Sequence, residues 1–245
     1  MSKFKSFLKE ETSGWKAFDL IWIILLCSAI TIISIINATH SGLGNNIDVA
    51  LSIIAAVAGI FNVALGGKGK LSNFFFGILG SILLTIINFK IHNYGLMSVN
   101  IYMFVMQFVG FFSWSKNMNK ETHEVNKVHM KPKARLFYLS VLVVATVAAG
   151  LILSRFPDEA HPFIDGFVSV AFILVMLLMV RMYAEQWWLW ILINVASIYL
   201  FLTSREITLA LVLMYAFYFV NSIIMCVRWE KEARQNDRAA QKGDV

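Results

Sequence analysis

The sequence predicts an all-α integral membrane protein with eight transmembrane helices. Hydrophobic residues make up 58% of the 245 residues and charged residues only 15%, whereas a typical soluble chain has about 25% charged residues. The mean hydropathy is +0.69. Polar residues collect between apolar runs of roughly 17–25 residues, the length that crosses a bilayer as a helix. Composition and run length together exclude a soluble globular domain.

The first four spans are predicted at residues 19–37, 48–66, 72–89 and 94–115. Span 1 is longer than a typical signal-peptide apolar region, and no A-x-A cleavage pattern follows it. We therefore interpret it as a retained helix. Span 2 opens with the stretch IDVALS, short loops separate the spans, and Trp114 closes span 4.

The last four spans are predicted at residues 136–154, 163–183, 186–203 and 206–228. A polar, basic stretch from Ser115 to Arg135 precedes them and is the only long linker in the chain. Span 6 opens with IDGFVS, span 7 begins with the tryptophan-rich stretch WWLWILIN, and Trp229 closes span 8.

The distribution of basic residues predicts the orientation of the chain. If all eight spans cross, 18 of the 21 lysines and arginines lie on the side that holds both termini. The opposite side holds only Lys90, Arg155 and Arg205. By the positive-inside rule both termini are then cytoplasmic in a multi-pass protein of the membrane. Topology and contact with anionic membrane lipid explain the basic charge, so no nucleic-acid partner is required.

An internal repeat predicts how the spans are grouped. IDVALS and IDGFVS share the pattern I-D-x-x-x-S, with Asp48 and Asp165 separated by 117 positions, and Trp114 and Trp229 are separated by 115. We predict three-helix repeats at 45–115 and 161–229, joined by a basic linker and a linking helix at 116–160. Residues 1–44 add an N-terminal segment and an extra helix, and residues 230–245 form a basic tail. This 3+1+3 plan is the parallel-repeat architecture of the SWEET transporters.

The residues that catalysis, metal binding or ion coupling would need are missing from the predicted spans. The five histidines fall in loops, no span carries a carboxylate near its centre, and neither G-x-S-x-G nor H-E-x-x-H occurs. Cys27 and Cys226 lie inside apolar runs, which argues against disulfides or zinc. The sequence therefore predicts no catalytic residues, metal or cofactor, and it favours a facilitator over an ion-driven pump.

Uncharged amides provide the candidate binding residues. Helical spacing places several of them on one face of their span, as with Trp187, Trp190, Asn194 and Ser197 in span 7. We predict a shared cavity for a neutral or weakly cationic ligand with a flat ring and several hydroxyls, since amides bond hydroxyls and an indole stacks on a cationic ring. The predicted substrate-binding residues are Trp190, Asn194, Gln107, Asn88, Trp187, Asn73 and Asn221.

Packing is the alternative interpretation of the same residues. Amides in membrane helices often only bond neighbouring helices, for about 0.6 kcal/mol, and Trp187 and Trp188 are also typical of an interfacial aromatic belt. A channel or scaffold that uses its amides only for packing therefore stays open at this point.

The pattern W-x-x-W-x-x-x-N, from Trp187 to Asn194, resembles the PnuC family of bacterial nicotinamide riboside transporters over roughly residues 45–230. The resemblance implies facilitated diffusion of nicotinamide riboside across the inner membrane, trapping of the product by cytoplasmic phosphorylation, and supply of NAD synthesis. It assigns Trp187, Trp190 and Asn194 to the substrate. Family members can form homotrimers, and relatives with the same fold carry thiamine or riboflavin instead.

Overall fold

The structure is a computed structural model that describes residues 11, 14–40, 46–90, 92, 94–157, 160–203 and 209–242. Eight helices lie within these ranges: α1 Ala17–His40, α2 Asn46–Lys68, α3 Asn73–Lys90, α4 Tyr94–Ser115, α5 Pro132–Leu153, α6 Pro162–Val180, α7 Gln186–Thr203 and α8 Leu209–Lys242. Arg205 and the Asp48 side chain, both used in the sequence analysis, lie outside the described residues.

The helices confirm the predicted class of an all-α membrane protein. Seven of them, α2 to α8, are long and apolar enough to cross a membrane. In α1 the apolar stretch among the described residues is shorter, Asp19–Ala29. The crossing of α1 therefore stays a prediction.

The chain divides into two compact units, Met1–Asn126 and Lys127–Val245. In the first unit α1 packs on α2, α2 on α3, and α3 on α4. Gly110 of α4 leaves the room that the Phe74 ring of α3 occupies. Phe74 also packs edge-on against the buried Trp114, with ring centroids 5.0 Å apart.

The second unit follows the same order of packing, with α5 on α6, α6 on α7, and α7 on α8. Gly150 and Gly166 allow α5 and α6 to approach closely, because a Cβ atom on Gly166 would lie 2.9 Å from the backbone nitrogen of Gly150. Trp229 is buried edge-on against Trp187, with ring centroids 5.9 Å apart. An edge-on aromatic pair that includes a buried tryptophan thus occurs in each unit, and the duplication and the 3+1+3 grouping stay predictions.

The long linker is ordered where the structure describes it. In the first unit the buried Lys70 ammonium donates to the backbone oxygens of Thr122 and His123, at 3.2 Å each, and the Val125 N–H donates to Gly69 O at 2.8 Å. In the second unit the Val128 N–H donates to Met182 O at 3.1 Å. Backbone pairing with the neighbouring loops therefore holds a segment whose composition predicted only a polar connection.

Some of the basic residues on the predicted cytoplasmic side are buried and do not face lipid or water. Lys68 pairs with Asp19, and Lys127 pairs with Glu232 and lies over the Trp229 ring. The buried charges are compensated inside the protein, as burial requires. The attribution of the whole basic charge to topology and lipid contact was therefore too broad.

The helix α8 is longer than the predicted span. Its 34 residues reach Lys242 and are about 51 Å long at 1.5 Å per residue, well beyond the roughly 20 residues that a bilayer needs. The sequence EKEARQNDRAAQK that follows Trp229 is rich in good helix formers and lacks glycine and proline. The predicted basic tail thus continues the helix as far as Lys242.

Candidate functional site

The tryptophan–asparagine motif occupies the first half of α7. Trp187 is 5% exposed and packs against Trp229, so this ring belongs to the core of the second unit. Trp190 lies about one turn further along, is half-buried, and meets the Phe172 ring of α6 edge-on, with centroids 5.2 Å apart. Of the motif's two tryptophans, Trp190 keeps the more accessible ring.

Asn194 lies one turn beyond Trp190 and joins α7 to α8. It is 2% exposed, and its Nδ2 donates to Ser222 Oγ at 3.1 Å. Ser222 in turn donates to the backbone oxygen of Tyr218 at 2.8 Å. These bonds orient the amide, and because a carboxamide has two N–H donors and a carbonyl acceptor, the Ser222 contact uses only part of its capacity. Asn221, the neighbour of Ser222, is buried.

Aromatic residues of α8 continue this polar cluster along the helix. The Tyr215 ring stacks on Phe201 of α7, with centroids 5.5 Å apart, and lies edge-on to Tyr218 at 6.2 Å. The Tyr215 hydroxyl lies near the Ser197 side chain of α7. Sequence reasoning missed Tyr215, Tyr218 and Ser222. Their spacing of three and four residues in span 8 was the available signal.

In the first unit the candidate residues meet around a glycine of α3. A Cβ atom on Gly77 would overlap the Gln107 side chain of α4 and lie 2.6 Å from Asn62 Nδ2 of α2. Gln107 is 4% exposed, and its Oε1 accepts no hydrogen bond from any residue that the structure describes. An unsatisfied buried oxygen of this kind is uncommon in a folded protein. This oxygen is therefore a candidate acceptor for a ligand.

The other two predicted binding residues of the first unit, Asn73 and Asn88, lie at opposite ends of α3. Asn73, at the start, is fully buried, its Nδ2 donates to Lys70 O, and its backbone oxygen accepts from Asn62 Nδ2 at 2.9 Å. Asn88 donates to Leu84 O of its own helix at 2.7 Å. Fifteen residues of helix separate the two, about 22 Å. Asn73 thus contacts Asn62, which lies beside Gln107 at Gly77, whereas Asn88 lies at the other end of α3.

The clusters around Asn194 and Gln107 are uncharged, and the second unit holds a separate cluster of a histidine and two carboxylates. His129 Nδ1 lies 2.6 Å from Asp237 Oδ2, and its Nε2 lies 3.1 Å from Glu230 Oε2. Burial lowers the pKa of His129, but the hydrogen bonds and charges of Asp237 and Glu230 raise it, and the net pKa lies above its ordinary value. Among the described residues, no group of three or more His, Cys, Asp or Glu is placed to hold a metal ion.

Comparison with known proteins gives consistent matches. A family described as "Nicotinamide mononucleotide transporter" matches residues 49–231. The chain is 31% identical to the nicotinamide riboside transporter PnuC of Neisseria mucosa, over 93% of this chain and 86% of the relative. It is also 31% identical to the protein of the same name from Haemophilus influenzae, over 94% of this chain and 97% of the relative.

A solved structure agrees with these sequence matches. The crystal structure of the vitamin B3 transporter PnuC superposes with a TM-score of 0.73 at 30% sequence identity. The match covers 94% of this chain and 98% of the solved chain. Length, sequence and fold therefore agree over nearly the whole molecule.

Proposed function

Because this chain belongs to the PnuC transporter family, we propose that it carries nicotinamide riboside across the inner membrane by facilitated diffusion. The family makes it a multi-pass membrane transporter and not an enzyme. Phosphorylation on the cytoplasmic side then traps the substrate and supplies NAD synthesis. Both termini are cytoplasmic in this proposal, and the protein assembles as a homotrimer.

The observation that supports this substrate most is the cluster of Trp190, Asn194 and Ser222. Nicotinamide riboside combines a pyridinium cation, a carboxamide and a ribose. The accessible ring of Trp190 suits the cation, since indole attracts a positive charge over its face. The Asn194 amide, held by Ser222, suits the carboxamide or the ribose hydroxyls. In the first unit, Gln107 Oε1 offers a further acceptor.

The absence of charge in these clusters favours the riboside over the mononucleotide. A phosphate is recognised by arginine, lysine or backbone N–H groups, whereas the contacts of Asn194 and Gln107 involve only uncharged residues. The family's description names the mononucleotide, so the two ligands must be compared directly. Thiamine and riboflavin are the remaining alternatives on the same fold.

Transport follows alternating access without ion coupling in this proposal. No described span contains a carboxylate near its centre, and Asp165 lies in the first turn of α6. At Gly80 of α3 a Cβ atom would lie 3.8 Å from the backbone oxygen of Ala55 and 3.9 Å from the backbone nitrogen of Gly59, both of α2, and in this proposal the small-residue face allows these two helices to slide. Trp187, Asn73, Asn88 and Asn221 stay predicted contacts. Within their own units, Trp187 packs against Trp229, and Asn73 and Asn88 donate to backbone oxygens.

The test is uptake of labelled nicotinamide riboside by proteoliposomes that contain wild-type protein or the variant Asn194→Ala. We expect saturable uptake by the wild type. Unlabelled nicotinamide riboside should inhibit it, whereas the same concentration of nicotinamide mononucleotide, thiamine or riboflavin should not. Asn194→Ala abolishes saturable uptake because the orienting amide is lost. The matched control is Val195→Ala, the next residue of α7 and an exposed side chain.

Each outcome has a definite meaning. Unchanged uptake by Asn194→Ala removes this residue from the site. Inhibition by a different vitamin moves the protein to another substrate, and uptake that fails to saturate supports a channel. Equal loss in Val195→Ala assigns the effect to folding.

A further inference from the structure

A groove of about 1460 Å³ opens on the second unit and is lined by α5, α6, α7 and α8. The part of the groove around Leu139 of α5, Leu192 of α7 and Val227 of α8 is apolar, and we call it the lower part. These three side chains are all exposed. Exposed apolar side chains in a membrane span pack against the acyl chains of lipids. The lower part of the groove is therefore compatible with lipid tails.

The upper part of the groove, which follows Val227 along α8, is basic. On α8 the lining residues recur at helical spacing, so that Val227 is followed on the same face by Lys231, Arg234 and Arg238. Arg234 is 3.6 Å from Glu230, and Arg135 of α5 is 2.6 Å from Glu185. No carboxylate that the structure describes lies within ion-pair distance of Lys231 or Arg238. Two cationic side chains thus project at the polar end without an ion pair in the described chain.

From this continuity we infer that the groove binds an anionic phospholipid from the leaflet on the side of the α8 extension. The acyl chains pack against Leu139, Leu192 and Val227, and the phosphate lies beside Lys231 and Arg238. Trp188, exposed at the rim and donating to Glu230 Oε1 at 3.1 Å, marks the level of the headgroups. Basic pockets between transmembrane helices are typical sites for anionic headgroups.

Charge complementarity favours such a lipid over a second copy of the chain. The chain carries a formal charge of +6, and most basic residues lie in the segments predicted to share the side of the α8 extension. A second copy would bring like charge to Lys231 and Arg238, whereas an anionic headgroup neutralises them. A free phosphate would leave the apolar part of the groove unfilled.

The test compares lipid retention by variants that remove equal charge. Native mass spectrometry of detergent-purified protein titrated with phosphatidylglycerol or phosphatidylethanolamine gives the affinity for each lipid. The groove variant is Lys231→Gln/Arg238→Gln. The control is Lys131→Gln/Lys133→Gln, which removes two charges at the start of α5 from residues that do not line the groove. All four side chains are exposed, so folding is preserved.

We expect the wild type to prefer phosphatidylglycerol and the groove variant to bind it about 30-fold more weakly, equivalent to about 2 kcal/mol. The control changes by less than about threefold, and soluble glycerophosphate does not displace the lipid. Equal loss in both variants, no preference in the wild type, or displacement by glycerophosphate overturns the inference. A disulfide between protomers through Leu192→Cys, in a chain without Cys27 and Cys226, also overturns it.

Discussion

At the scale of single residues, Trp187 and Trp190 have different surroundings, although both belong to the same sequence motif. Trp187 is enclosed by Trp229, while Trp190 meets only the edge-on ring of Phe172 among the described aromatic pairs and keeps an accessible face. A ring that contacts a pyridinium needs that accessibility. The two tryptophans therefore predict different losses on substitution, structural for Trp187 and ligand-specific for Trp190.

The substitution Trp190→Ala removes the ring, and Trp190→Phe keeps a smaller one. A desolvated cation–π contact contributes about 2 kcal/mol, so we expect the Kd for nicotinamide riboside to rise about 30-fold in the alanine variant and only about threefold in the phenylalanine variant. Calorimetric titration measures both. The exposed neighbour Trp188→Ala is the control, and equal, mild effects in the two Trp190 variants would contradict stacking.

His129 predicts a pH dependence of stability. Its pKa is raised in the folded protein by Asp237 and Glu230, so the stabilisation is complete below the ordinary pKa of about 6.5 and is lost as pH rises through the folded-state pKa. We expect the wild-type Tm to fall, relative to that of His129→Gln, as the pH increases above about 6.5. Scanning fluorimetry at several pH values measures this difference.

The control for His129 is another histidine outside the helices. His92 is exposed at a positive φ of 58°, a conformation that asparagine tolerates. The substitution His92→Asn removes a histidine and leaves the contacts of His129 in place, so its slope of Tm against pH is the reference for His129→Gln. A wild-type slope that matches that of His129→Gln would show that the contact does not titrate in this range.

At the scale of helices, two glycines on neighbouring elements distinguish close packing from open space. Gly77 of α3 faces Gln107 and Asn62, and a methyl group there would overlap the glutamine. At Gly59 of α2 a Cβ atom would meet nothing within 4 Å. A glycine-to-alanine substitution is therefore expected to lower the stability of the protein at Gly77 but not at Gly59.

Gly77→Ala should destabilise the protein by about 1 kcal/mol, because the methyl group must displace the amide ends of the Gln107 and Asn62 side chains, and it should lower the Tm by about 2–4 °C. Gly59→Ala is the matched control and should be neutral or stabilising by up to about 1 kcal/mol, because alanine favours the helix. Thermal unfolding in detergent checks both. Similar losses in both variants would contradict the packing described at Gly77.

At the scale of the whole molecule, the described spans lack a carboxylate near their centre that could couple transport to an ion. We therefore expect the initial rate of nicotinamide riboside uptake by proteoliposomes to be the same with and without a proton or sodium gradient. Ionophores that collapse each gradient provide the comparison, and a proton-coupled transporter in the same vesicles is the control. A severalfold loss of rate on collapse of either gradient would contradict facilitated diffusion.

Much of the fold follows from local properties of the sequence. Span positions are set by runs of apolar residues, and the common face of Trp190 and Asn194 follows from the helical period, so both could be predicted without neighbours. The extension of α8 beyond Trp229 was missed, although its helix-forming composition was visible. The ordering of the linker was missed because its backbone partners, such as Gly69 and Met182, lie far away in sequence.

The sequence by itself determined the membrane class, the spans of α2 to α8 and the family motif, because hydropathy, length and periodicity are properties of contiguous residues. Only the tertiary structure decided what each polar side chain meets. Asn194 bonds Ser222 of another helix, whereas Asn88 bonds its own helix, and Lys127 is buried beside Glu232. The physical reason is that the energy of a buried amide or charge depends on its partner, and the partner comes from a different element.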